Sequence, residues 1–182
     1  ALATIGQIVR KQAHPGFTAT SGLSGTTSDL LVAGQLKLEN KLSLSVRSLL
    51  DDAFSLSKAE LRGDWSGNRA SLSGTYLWLG ADPAEARARA LSEVWLTGAY
   101  EVSRGWTANA NLRYDISDAR ATRAGLGFVY QNECVTVDVS VNRRYTSTTS
   151  VEPTTDFGFT ISLSGFSVKS GSKQYRRSCS KT

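Results

Sequence analysis

Apolar and polar residues alternate with a period of two over most of the chain. Val135, Val137, Val139 and Val141 alternate with Thr136, Asp138, Ser140 and Asn142. Trp106, Ala108, Ala110, Leu112 and Tyr114 alternate with Thr107, Asn109, Asn111, Arg113 and Asp115. Phe157, Phe159, Ile161 and Leu163 do the same against Gly158, Thr160, Ser162 and Ser164. Successive side chains of a strand point to opposite faces, so each segment predicts a strand with one apolar and one polar face. Ten such segments occupy about 2–10, 29–38, 41–50, 54–64, 69–79, 90–101, 106–115, 120–130, 133–145 and 155–165. In the fourth, Phe54 and Leu56 share a parity with Lys58, Glu60 and Arg62, which predicts a later start or a bulge.

The connections differ in length by side. Asn40-Lys41, Ser66-Gly67-Asn68, Ser103-Arg104-Gly105 and Gln131-Asn132 read as tight turns. The longer connections, 11–28, 80–89 and 146–154, all fall on the other side, with shorter ones at 51–53 and 116–119. One helical stretch is predicted at 83–90 (PAEARARA), capped by Asp82. The three prolines, Pro15, Pro83 and Pro153, all lie between strands.

Outer-membrane barrels sort short periplasmic turns from longer extracellular loops in this way. Trp106 and Tyr114 bracket one apolar face, and eight residues of tilted strand climb about 20 Å, close to the apolar band between two aromatic girdles. Tyr76, Trp78, Tyr100, Tyr130 and Tyr145 also stand near strand ends. The pattern therefore predicts an all-β, antiparallel up-and-down transmembrane β-barrel of about ten strands, a fragment of a larger barrel. Residues 1–166 form its strands and 167–182 a basic tail. The lumen-facing set is then Thr107, Asn109, Asn111, Arg113, Thr136, Asp138 and Asn142. Val135, Val137, Val139, Leu112, Leu126, Phe128, Ile161 and Leu163 face lipid.

Composition fits this reading. Hydrophobic residues make up 40% and mean hydropathy is −0.23. The longest apolar run, Leu30 to Gly34, is far short of the roughly 18 residues of a spanning helix. The chain has no Met and no basic-then-apolar leader, which suits either a removed signal or an internal portion of a longer protein, and the strand count favours the latter. The net charge of +5 suggests a nucleic-acid surface. However, five of the 21 basic residues, Lys169, Lys173, Arg176, Arg177 and Lys181, sit in the tail and the rest are dispersed.

Catalytic and metal chemistry finds no support. The single histidine, His14, lies in the longest loop without a partner motif. Glu60 and Asp64 flank Arg62 on one face and read as a charge network. Gly125-x-Gly127 precedes no helix and is no phosphate loop. No cofactor is implied. Cys134 and Cys179 are too few for a structural zinc site, and in an oxidising compartment they pair with each other or with a cysteine elsewhere.

Three stretches carry a resemblance. They are Gly125-Leu-Gly-Phe-Val-Tyr-Gln-Asn-Glu-Cys134, Asn142-Arg-Arg-Tyr-Thr146, and Thr155-Asp-Phe-Gly-Phe-Thr-Ile-Ser-Leu-Ser-Gly-Phe166. Together they resemble the closing strands of the LptD family of lipopolysaccharide-assembly proteins. Thr4-Ile-Gly-Gln7, Gly22-Leu-Ser-Gly25 and Ser28-Asp29 are similar to its earlier barrel segments. The resemblance implies an outer-membrane translocon, not an enzyme, that assembles lipopolysaccharide into the outer leaflet. It implies an LptE-type plug lipoprotein in the lumen, and the bridge protein LptA docked on an N-terminal periplasmic domain. Cys134 is then tied to a cysteine of that domain, with Cys179 as the alternative partner. The family carries two adjacent cysteines here, whereas Val135 follows Cys134. Arg143 shares the parity of the valines and lies at the rim. It is expected to meet a lipopolysaccharide phosphate or to act as a snorkelling anchor. A generic porin or adhesin barrel is the alternative function, and a soluble ligand-binding barrel a further one.

Overall fold

A computed structural model of the chain describes residues 1–39, 41–146 and 152–163. Ten strands form one sheet in sequence order: β1 (Leu2–Gly6), β2 (Leu30–Leu38), β3 (Leu42–Leu50), β4 (Leu56–Ser66), β5 (Ala70–Leu79), β6 (Leu91–Ser103), β7 (Trp106–Asp115), β8 (Arg120–Gln131), β9 (Val135–Arg144) and β10 (Thr154–Leu163). Every neighbouring pair is antiparallel, an up-and-down meander. Among the described residues β1 and β10 are the two edges, so the sheet is open, as a fragment of a larger barrel would be.

Register carries the two-faced pattern across all the strands, because directly opposed residues share a face. One apolar row runs Leu36, Leu44, Gly63, Gly74, Leu96, Leu112, Ala124 and Arg143. It begins near the turn end of β2 and finishes near the loop end of β9, the stagger that tilted barrel strands require. Pairs of leucines flank a pair of glycines in it: the Leu44 and Leu96 side chains lie 3.2 Å from where a Cβ on Gly63 and Gly74 would stand.

The sheet has no core of its own. Among the described residues no hydrophobic side chain is buried; the buried ones are Thr20, Ser28, Asp82, Glu93 and Asp115. All five stand at the loop end. The apolar face is bare, with Leu126 at 59% and Phe159 at 67% exposure. A water-soluble sheet of this length would cover such a face with a second layer. A barrel wall leaves it to the bilayer.

Three sequence expectations need adjustment. The first strand ends at Gly6 rather than near 10, because Ser28 Oγ accepts from Ile8 N at 2.8 Å in place of a ladder bond. The helix expected over 83–90 is a single 3-10 turn, Pro83–Glu85, with Asp82 accepting from Ala84 N at 3.1 Å. It stops because Arg87 N and O turn back to Asp82. The parity conflict in the fourth segment resolves as a late start plus a bulge. Leu50 opposes Leu56 while Leu49 opposes Lys58, so Ser57 is the extra residue and the faces invert around it.

The turns are built by the residues that signal them. Gly105 has φ +78, and a Cβ there would come within 2.7 Å of the Gln131 carbonyl oxygen, so the two-residue turn Arg104-Gly105 excludes other side chains. Asn132 Oδ1 accepts from the backbone N–H of Cys134 (2.9 Å) and Val135 (2.8 Å), an Asx turn that fixes the start of β9.

Candidate functional site

The polar face unites all seven residues expected to line the lumen. Thr107, Asn109, Asn111 and Arg113 of β7 alternate with the apolar set, and Asn111 and Asn109 oppose Gly125 and Gly127 of β8. Those glycines in turn oppose Asn142 and Ser140 of β9, on the face of Thr136 and Asp138. The glycines make room for the amides: a Cβ on Gly125 would meet Asn142 Oδ1 at 2.2 Å and Asn111 Nδ2 at 2.5 Å. The result is a flat band of Asn, Ser and Thr across β7–β10.

Charges stand on either side of this band. Arg62 binds Asp64 through two 2.9 Å contacts, and Ser73 Oγ donates to Asp64 at 2.5 Å. Glu60, on the same face, opposes Arg47. Nearer the loops, Arg113 bonds Glu93 at 2.6 Å, Trp95 Nε1 donates to Glu93 at 3.2 Å, and the Arg113 guanidinium lies 4.6 Å from the Trp95 ring centroid.

The loop end carries a second construction, absent from the sequence reading. Residues 18–22 dock on the 80–90 connection, and the Asp82 carboxylate is the joint. It accepts from Thr20 N (3.1 Å) and Thr20 Oγ1 (2.9 Å). Arg87 donates to Thr20 Oγ1 (2.8 Å), to Glu85 (2.9 Å) and to the Gly80 carbonyl (2.7 Å), and Thr18 Oγ1 donates to Glu85. Gly22, at φ +70, abuts the Leu49 side chain, which projects from the polar face, and Ser57 Oγ bonds Asp29 at 2.5 Å. The loop therefore folds over the polar face at the loop end of β3–β6.

The Thr20 N–H and hydroxyl hold the Asp82 carboxyl below its usual 3.8, and the Thr18 hydroxyl and Arg87 lower Glu85 likewise. A depressed carboxyl stabilises the folded loop above the ordinary carboxylate range, and that contribution is lost as pH falls through the lowered value. Protection of residues 11–28 from hydrogen exchange should hold from neutral pH to about pH 4 and fail below it. Loss already near neutrality would contradict this. Asp82→Ala should expose the same loop to proteases at neutral pH while the strands stay protected.

The apolar face has its own order. Trp65, Tyr100, Trp106 and Tyr130 form a belt at the turn end, with Trp106 and Tyr130 centroids 4.9 Å apart. Trp78, Tyr114 and Tyr145 stand at the loop end. Arg143 lies there too, its guanidinium 5.4 Å from the Tyr145 ring, above a shallow apolar depression of about 510 Å³ floored by Gly98, Ala110 and Ala124. Trp95 is the one tryptophan on the polar face. Cys134 sits at the turn end of β9; Cys179 and the basic tail lie outside the described residues.

A ten-stranded meander with an uncovered apolar face, two aromatic belts on it, a polar opposite face and its longer connections at one end is a wall of a transmembrane β-barrel. Residues 1–106, more than half of the chain, match the LptD family, described as LPS transport system D. The chain belongs to that family, and so to the outer-membrane translocon that assembles lipopolysaccharide, a transport barrel rather than an enzyme. The match includes Thr4–Gln7 and Gly22–Asp29; the stretches from Gly125 to Phe166 lie beyond it. No curated protein matches the chain.

Proposed function

We propose that this chain forms part of the lipopolysaccharide-conducting barrel with its polar face toward the lumen and its apolar face toward lipid. The division of the two faces, carried by register from strand to strand across the sheet, supports the reading. Thr107, Asn109, Asn111, Arg113, Thr136, Asp138 and Asn142 then line the path of the saccharide head group, where hydroxyls and amides replace its water. The tight turns lie in the periplasm and the docked loops outside. An impermeant thiol reagent applied to whole cells should label Asp118→Cys and spare Gly67→Cys; the reverse would refute the orientation.

Arg143 is proposed to meet a lipopolysaccharide phosphate at the outer rim, where a guanidinium pairs bidentately with phosphate. A photocrosslinking residue in place of Arg143 should capture lipopolysaccharide in growing cells. No adduct would leave it a simple interface anchor. An LptE-type lipoprotein is proposed to rest against the Asn band, and a crosslinker at Asn109 that never captured one would remove that partner. Docking of an LptA-type bridge belongs to a periplasmic domain outside these residues. Cys134, at the periplasmic end, is proposed to hold a structural disulfide.

A further inference from the structure

Three arginines stand side by side on the polar face at the loop end. Arg113 of β7 opposes Arg123 of β8, and Arg123 opposes Arg144 of β9. Neighbouring strands lie about 4.8 Å apart, so the three Cα atoms span about 10 Å. Like charges directly opposed across strands destabilise a sheet. Among the described residues one of the three is neutralised, Arg113 by Glu93 at 2.6 Å. Among the described residues Arg123 and Arg144 make no ion pair. Arg144 donates to Thr154 Oγ1, at 3.4 Å. The carboxylate of β10 on this face, Asp156, belongs one step lower, opposite Asn142. Both unpaired side chains are exposed. The docked loop bonds at Ser57 and Asp82, on the β3–β6 side of the mouth, away from Arg123 and Arg144.

We infer that Arg123 and Arg144 form an anion-binding step at the mouth of the lumen that takes the phosphorylated saccharide head of lipopolysaccharide as it leaves the polar band. This deepens the transport reading and rests on it. Two arginines on neighbouring strands, with Cα atoms about 5 Å apart, can both reach one phosphate group or a closely spaced pair of anionic substituents, and binding would relieve their mutual repulsion. Because Arg143 of the same strand points to the lipid side, adjacent residues offer phosphate contacts on the two sides of the wall.

The test uses the full-length protein in cells with a photocrosslinking residue at Thr154, next in the row after Arg144. Lipopolysaccharide adducts are expected with the wild-type arginines. Arg123→Ser with Arg144→Ser should lower the adduct about tenfold, the equivalent of one charge-assisted hydrogen bond, and Arg→Lys at both should retain most of it. The heat-modifiable barrel should remain, since the serines remove repulsion and, among the described residues, no hydrogen bond beyond the exposed 3.4 Å contact of Arg144 with Thr154. An unchanged adduct in an assembled Ser variant overturns the inference and leaves the transport reading intact. No adduct at Thr154 or Asn109 in the wild type overturns both. If the Ser variant fails to assemble, purified wild-type protein is compared on phosphorylated and dephosphorylated lipopolysaccharide. Tenfold weaker binding of the latter is expected, within about a factor of two, and equal binding refutes the inference.

Discussion

Val139→Arg should block assembly of the barrel, while Ser140→Arg, one residue along, should be tolerated. Val139 is half exposed on the apolar face, opposite Phe128 and Phe159 and midway along β9. An arginine at mid-membrane on the lipid side costs about 2–4 kcal/mol. With a native stability of about 5–15 kcal/mol, that removes a large fraction of it. Ser140 lies on the polar side opposite Gly127 and Gly158, with Asn109 leaning over Gly127, and a longer side chain there extends away from the sheet among polar neighbours. The arginine Cγ would take the place of the serine Oγ. The difference between the two variants, read as the fraction of heat-modifiable barrel in outer membranes, isolates facing from strand propensity. Equal loss, or greater loss at Ser140, would invert the assignment of faces.

Replacing Cys134 should have the next largest effect. The Asx turn of Asn132 holds this residue at the turn end of β9, the end proposed to lie in the periplasm, where thiols are oxidised. A disulfide there constrains the unfolded chain by up to about 5 kcal/mol, whichever partner it has. The full-length protein, alkylated without reductant, should leave Cys134 unmodified, and Cys134→Ser should lower the yield of assembled barrel. Non-reducing peptide mapping then separates a tie to Cys179 in the tail from a tie to a cysteine of the periplasmic domain. Alkylation of Cys134 in the unreduced protein would refute the structural disulfide.

The strands were legible because their signal is local. Period-two alternation placed 106–115 and 41–50 within a residue of Trp106–Asp115 and Leu42–Leu50. The parity conflict around Leu56 likewise announced the bulge at Ser57. What stayed hidden depends on partners distant in sequence. Thr20 and Asp82 are 62 residues apart, and no local pattern marks either as half of a joint. Leu49 breaks the polar parity of β3 because the inward-folded loop covers it, which only the docked Gly22 explains. Arg123 and Arg144 looked like dispersed surface charge, since their adjacency depends on the register of β8 on β9. The glycines of β8 carried a readable sign in their spacing, but their purpose, to accommodate Asn109, Asn111 and Asn142, needed the opposed strands.

The division of the wall into a wet and a lipid-covered face is tested most directly by a cysteine scan of β9 in the full-length protein in native membranes. Single variants at Thr136, Asp138, Ser140 and Asn142 should react with a water-soluble thiol reagent. Those at Val135, Val137, Val139 and Val141 should not, giving a period of two along the strand. Reactivity on the valine positions, or uniform reactivity along β9, would contradict a lumen-lining polar face.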